Sequence, residues 1–330
     1  MANKWGFLGQ DWAVNLLSGQ VANDRLSHAY LFTGPEAIGK RTLAILLAKA
    51  VNCQNPPAEG EFCDECRACR GFAQMGHPDL HIVQLQEGDR DIKAGAVREL
   101  SRMLSLSPYE ANYQIAFLLN FERASVQAAN ALLKTLEEPP QKVLLLVTAE
   151  SAESLPATIA SRCEIIRLRP MPTNRLADGL ADDFEVATER AQLLSALSGG
   201  RPGYALRLNE DAELLAQREE WLGQLTSLLG QGRVERFAYA ASMSRDREVL
   251  KEALQVWLSF WRDLLLRKGE AAAAISNLDH EDELSLIAKK LSLEAAREAL
   301  ASIEDSLHSL RGNTNARLAL ETLLLKIPRV

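Results

Sequence analysis

At 330 residues and 36.4 kDa the chain is about twice the length of an ordinary domain, which predicts two or three of them. A composition 47% hydrophobic and 25% charged excludes a disordered or fibrous chain, and no apolar run approaches the roughly 18 residues that a membrane span needs. Formal net charge is −7, and residues 1–170 and 171–330 each hold more Asp and Glu than Lys and Arg. That balance argues against autonomous, charge-driven nucleic-acid binding, while a local contact stays open. The stretch Met1 to Gln20 has Lys4 but no continuous apolar core, so no secretory leader is expected and a cytoplasmic location is.

In chain order, His28 to Thr33 reads as a buried strand, followed by a Gly-containing turn and a helix over Arg41–Val51. Further strands are predicted at Leu80–Leu85, Gln114–Leu119, Val143–Thr148 and Glu164–Leu168. Between them, Ile92–Leu106 and Ser125–Glu138 carry apolar residues at helical spacing. Ser125 suits an N-cap, and Pro139-Pro140 stops the second helix. Strands alternating with helices predict a parallel sheet covered on both faces. A linker follows at Arg169–Thr173, and beyond it no strand is expected. Residues 174 to about 206 read as a few small helices broken by Ser198–Gly203. The remainder reads as long amphipathic helices such as Arg247–Arg267, Leu293–Arg311 and Asn315–Lys326.

Gly34-Pro-Glu-Ala-Ile-Gly39-Lys40-Arg41-Thr42 follows a strand and opens a helix. In that setting backbone N–H groups and the positive helix end hold phosphates, with Lys40 reaching the outer ones. Gly34, Gly39, Lys40 and Thr42 are therefore candidate nucleotide contacts. The pattern breaks at Arg41, which stands where a Ser or Thr hydroxyl coordinates Mg²⁺. Thr42 lies one residue later, about 100° further round the helix. The strand that should end in metal-holding acids ends in Leu119-Asn120, with Glu122 two residues late. Two defects at the two magnesium positions disfavour ATP hydrolysis by the isolated chain and leave ATP/Mg binding doubtful.

Four of the five cysteines cluster as Cys53-x9-Cys63-x2-Cys66-x2-Cys69. Four thiolates suit tetrahedral zinc and leave no open coordination position, so the expected role is structural. An iron–sulfur cluster is the rival, but the proline-flanked ferredoxin run is absent. His77 and His81 are not needed as ligands, and Arg67 and Arg70 read as solvated. Ser161-Arg162-Cys163 follows a short helical stretch, Pro156–Ala160, and precedes a strand. There the planar, permanently charged fork of Arg162 can project outward to a phosphate, or serve in an ordinary surface ion pair. Cys163 reads as a small buried apolar residue.

Two strings carry a resemblance: Asn130-Ala-Leu-Leu-Lys-Thr-Leu-Glu-Glu-Pro139-Pro140, and Leu155-Pro-Ala-Thr-Ile-Ala-Ser161-Arg162-Cys163. Both resemble the clamp-loader ATPase family, and the four-cysteine excursion resembles its bacterial members. The resemblance implies an α/β P-loop (AAA+) domain over 1–170 with a zinc-binding insert at about 53–69. Two all-α domains would follow, a lid over 171–208 and an oligomerising collar over 209–330. It implies a ring with tau/gamma and delta subunits that uses ATP to load a sliding clamp onto primed DNA for DNA polymerase III. The degraded magnesium positions resemble the family's non-hydrolysing members. In those, Arg162, with Ser161 beside it, would act in trans on a tau/gamma ATP site. By position Thr148 falls at the phosphate-sensing strand end, and Arg201 where an active member has its sensor arginine. The alternative within the family is an active, tau/gamma-like ATPase in which Thr42 and Glu122 rescue the magnesium site. A zinc-dependent nucleic-acid module and a purely architectural protein are the readings outside it.

Overall fold

Five short runs rich in Leu, Ile, Val, Ala and Phe pair into one parallel sheet in the computed structural model, which describes residues 3–330 except 272, 274 and 313. The strands are β1 (Ala29–Thr33), β2 (Leu80–Val83), β3 (Gln114–Leu118), β4 (Val143–Ala149) and β5 (Glu164–Arg167), in the order β2-β3-β4-β1-β5. Every pairing is parallel, with Phe32 opposite Thr148 and Thr33 opposite Arg167. β1, β3 and β4 are buried along their whole length, which explains their continuous apolar character.

The helices that cover this sheet are α1 (Asp11–Ala22), α2 (Lys40–Asn52), α3 (Arg67–Ala73), α4 (Ala94–Leu104), α5 (Val126–Glu137) and the single turn α6 (Ala157–Ala160). Strand side chains alternate between two cores. Tyr30, Phe32, Ile115, Phe117, Leu144, Leu146, Ile166 and Leu168 face α1 and α2. Leu31, Ala116, Leu118, Leu145 and Val147 face α4 and α5. The expected strands and the helices α2, α4 and α5 are present within a few residues. The structure adds α1 and α3; α3 is a seven-residue helix with Phe72 as its large apolar residue, too short to show periodicity.

Beyond the sheet come α7 (Thr173–Phe184), α8 (Thr188–Leu197), α9 (Pro202–Glu210), α10 (Ala212–Gly230), α11 (Arg233–Met243), α12 (Arg247–Lys268), α13 (Glu281–Lys290), α14 (Leu293–Arg311) and α15 (Ala316–Lys326). The chain divides into two compact units, Met1–Thr188 with Arg201–Tyr204, and Glu189–Gly200 with Ala205–Val330. No helix among the described residues is long and apolar enough to cross a membrane.

In the helical unit α12 supplies Trp257, Phe260 and Trp261 to a core filled by leucines of α10 and α15 and by Ala299 and Ile303 of α14. Trp257 Nε1 donates to the Trp221 carbonyl at 2.9 Å. Two buried arginines, Arg236 and Arg218, satisfy backbone and side-chain groups at the helix ends and in the connecting turns. Arg236 donates to the carbonyls of Leu228, Leu324 and Ile327 at 3.0, 2.6 and 2.7 Å, tying the ends of α10 and α15 together. Arg218 grips Asn277 and Asp279, while the fully buried Asp263 carboxylate accepts the N–H groups of Ser276 and Asn277.

His280 is held on both sides, with Nδ1 2.9 Å from Glu283 and Nε2 2.9 Å from Glu219. Burial works against its charged form, but the hydrogen bonds to Glu219 and Glu283, with the charge of Asp279, outweigh it and raise the pKa. A raised folded-state pKa stabilises below the unfolded value of about 6.5, and that stability is lost as pH rises through the folded value. Urea titrations should therefore find the helical unit losing stability above about pH 6.5, with His280→Gln flattening the dependence. Arg236→Met leaves three buried carbonyls without a donor and should cost about 3 kcal/mol in the same measurement.

Candidate functional site

β1 ends at Thr33, and the next six residues form a loop that only particular residues can make. Gly34 (φ 144°) and Gly39 (φ 103°) lie in backbone regions that favour glycine, and an added Cβ would sit 2.6 Å from the Leu168 carbonyl oxygen and 2.6 Å from the Phe7 ring, respectively. Gly203 closes the loop from outside, its N–H donating to the Ala37 carbonyl at 3.0 Å; there a Cβ would lie 2.8 Å from the same oxygen. Arg201, two residues before it, lies over the Tyr204 ring at 4.6 Å. Nothing local in the sequence ties Gly203 or Phe7 to this loop.

Lys40 opens α2, and its ammonium group is held by the loop itself, donating to the carbonyls of Gly34 at 2.5 Å and Pro35 at 2.9 Å. Burial lowers its pKa, and the carboxylates of Glu122, Glu150 and Glu36 pull it back up. Arg41 and Thr42 are both exposed on the first turn of α2. At the end of β3, Asn120 takes a left-handed conformation (φ 49°) and its N–H donates to Thr148 Oγ1 at 2.8 Å. Glu122 follows in the 3-10 turn Phe121–Arg123. Its carboxyl pKa is raised chiefly by burial and by repulsion from Glu150, against the pull of Lys40 and Arg123. The structure thus brings Glu122 into the electrostatic field of the loop lysine, a neighbourhood that residue spacing alone did not establish.

Cys53, Cys63, Cys66 and Cys69 converge after α2, all four sulfurs within 4.8 Å of one another and Cys53 Sγ 3.6 Å from Cys63 Sγ. Tetrahedral zinc with bonds near 2.3 Å places its sulfurs about 3.8 Å apart, so the donor set fits. Backbone N–H groups of Cys63, Cys66 and Cys69 donate to the sulfurs of Cys53, Cys63 and Cys66 at 3.3 to 3.4 Å. Burial pushes the Cys66 thiol up, yet the amides of Gln54 and Cys69 and the neighbouring sulfurs bring it down to about 6, favouring the thiolate a metal needs. The excursion is fastened at two further points. The buried ammonium of Lys49 pairs with Asp64 and sits 4.0 Å from the Phe62 ring centre, and Trp5 Nε1 donates to the Gly60 carbonyl at 2.9 Å. His77 stays outside the ligand set: it stacks on Phe72 at 4.2 Å and accepts from the Asp79 N–H. Asp79 in turn accepts three loop N–H groups of residues 109–111. A second grouping, Glu219, Asp279 and His280, is occupied by ion pairs with Arg218 and within itself.

Arg162 follows α6. Its Nη1 donates to the Thr158 carbonyl and its Nη2 to Glu137 of α5, both at 2.8 Å, which fixes the plane of the guanidinium while about a third of the side chain remains exposed. An exposed pair of this kind contributes little stability, up to about 1 kcal/mol, so its effect is mainly orientation. Ser161 Oγ donates to the same Thr158 carbonyl at 3.4 Å. Cys163 is half-buried, and burial pushes its thiol up to about 12, so it is inert at neutral pH. Glu137 lies in the Leu-Glu-Glu-Pro string, and no pattern in the sequence links it to Arg162, 25 residues away.

A family model for the DNA polymerase III delta subunit matches residues 9–172, and a second, for the C-terminal part of the same subunit, matches residues 212–328. The chain is 27% identical to DNA polymerase III subunit delta′ of Bacillus subtilis over 340 residues, covering 99% of both chains. It is 37% identical to subunit delta′ of Pseudomonas aeruginosa over 203 residues, 60% of each. Identity to subunit tau of Bacillus subtilis is 24% over 347 residues, covering 97% of this chain but 60% of tau.

Replacing one thiolate of the converged set, as in Cys63→Ser, should abolish stoichiometric zinc in metal analysis of the purified protein and lower the melting temperature of the sheet unit. Chelation of the wild type should reproduce both effects, and wild-type protein without zinc would remove the assignment.

Proposed function

The chain belongs to the DNA polymerase III delta-subunit family, and from that premise we propose that it is the delta′ subunit of a bacterial clamp loader. In this reading it does not hydrolyse ATP itself. It assembles with tau/gamma and delta subunits in the cytoplasm, and helps the complex place a sliding clamp on primed DNA. The observation that carries the reading is the loop lysine: Lys40 is engaged by the carbonyls of Gly34 and Pro35, among carboxylates that disfavour a triphosphate. Arg41 in place of a hydroxyl, and Asn120 in place of an acid, support the same division of labour.

Arg162 then serves a site on another subunit. The carbonyl of Thr158 and the carboxylate of Glu137 hold its fork without enclosing it, so the exposed N–H groups can reach a γ-phosphate of ATP bound by tau/gamma. Ser161 supports the turn that presents it. Gly34, Gly39 and Lys40 retain the shape of a phosphate loop, and Thr42 is too far round α2 to complete a magnesium site. The four cysteines would hold a structural zinc that braces the insert. Residues 171–208 would form the lid of the AAA+ domain, and residues 209–330 the collar through which the ring assembles. Glu122 near Lys40 is the one observation favouring an active ATPase, and direct turnover measurement decides between the two.

The isolated chain should show no ATP turnover above background. In a reconstituted loader, Arg162→Ala should leave assembly intact on size exclusion while lowering turnover at the neighbouring site by about 10³-fold or more. Unchanged turnover would overturn the trans role of Arg162.

A further inference from the structure

A cavity of about 630 Å³ opens in the sheet unit, and none of its lining residues belongs to the Gly34–Thr42 loop. Its walls are the start of α1 with Asp11 and Trp12, the end of β5 and the following linker with Arg167, Arg169 and Met171, and the first turn of α7 with Arg175. Side chains fix the backbone there: Asn3 donates through Nδ2 to the Gly9 carbonyl, and Gln10 donates through Nε2 to the Arg169 carbonyl and accepts the Arg169 N–H through Oε1.

The chemistry of the lining is unlike that of the chain around it. Three arginines face one aspartate, in a protein whose net charge is −7. Arg167 has only a loose pair with Glu153 at 3.8 Å, and no ion pair of the Arg169 or Arg175 side chains is found among the described residues. Beside them Trp12 leaves 48% of its surface in water, although an indole gains more than almost any side chain from burial. Arg167 and Arg169 lie two residues apart on an extended stretch, about 7 Å along the chain, a spacing comparable to one backbone repeat of an unstacked nucleic-acid strand.

We propose that this cavity binds single-stranded nucleic acid, with one base stacked on Trp12 and successive phosphates on Arg167, Arg169 and Arg175. An acidic peptide would meet the guanidinium groups but offers no plane to the indole, whereas a strand uses both. The cavity size suits one or two nucleotides, and its open side lets the strand continue. The site is separate from Arg162 and stands whether or not that residue acts in trans.

The test is fluorescence anisotropy of a labelled oligothymidylate titrated with the full-length protein over a series of salt concentrations. Three phosphate contacts predict a log–log salt slope of about −2. The double variant Arg169→Ala/Arg175→Ala should bind at least tenfold more weakly, with the slope reduced by about 1.4. Trp12→Ala should weaken binding roughly tenfold and leave the slope unchanged. Arg162→Ala should bind as the wild type does, which separates this site from the proposed finger. Circular dichroism melts of the variants should match the wild type, since all three residues are exposed. Wild-type protein that does not bind, an unchanged slope in the double variant, or unchanged affinity in Trp12→Ala overturns the proposal. So does displacement of the strand by free ATP at equal phosphate concentration, which would make the cavity a mononucleotide site.

Discussion

The parallel direction of all five strands is the constraint from which the rest of the sheet unit follows. Because β1, β3, β4 and β5 run the same way, their carboxyl ends deliver Gly34, Leu119-Asn120, Thr148 and Leu168 to one edge. Burial of both faces requires continuously apolar strands, and the buried polar side chains that β1, β3 and β4 do carry, Thr33, Gln114 and Thr148, sit at or next to the strand ends. Backbone groups take part in the contacts at that edge: the Leu168 carbonyl approaches Gly34 with no room for a Cβ, and the Asn120 N–H donates to Thr148 Oγ1.

In that frame Lys40 and Arg162 are two cations with opposite surroundings. Lys40 is partly buried, bonded by its own loop and ringed by three carboxylates. Arg162 is bonded on one side by Thr158 and Glu137 and open on the other. A guanidinium cannot be deprotonated in a protein, so partial exposure costs it no charge, while a lysine enclosed among carbonyls is already satisfied. The proposed role of Arg162 at a site on another subunit rests on this contrast.

The helical unit solves a different problem with the same residue type. Long amphipathic helices packed around Trp257, Phe260 and Trp261 bury the carbonyl ends of α10 and α15. Arg236 satisfies several of them at once with one planar fork, and Asp263 does the converse for the N–H groups of Ser276 and Asn277. The acidic excess of the chain therefore coexists with arginines spent inside the fold and with a small number left in water at the end of β5.

Much of this was legible in the amino-acid order alone. The strands, α2, α4, α5 and the long C-terminal helices follow from apolar periodicity, because the period of burial is a local property. The cysteine cluster and the loop glycines were legible because each is a short, fixed spacing within one stretch of chain. The pairing of Arg162 with Glu137, the closure of the loop by Phe7 and Gly203, the approach of Glu122 to Lys40 and the meeting of Trp12 with Arg167, Arg169 and Arg175 were not. Each joins segments between 25 and 166 residues apart, and no periodicity records which loops a parallel sheet gathers at one edge. Local pattern determined the elements; the order β2-β3-β4-β1-β5 decided which side chains meet, because crossover connections set neighbours in space independently of neighbours in sequence.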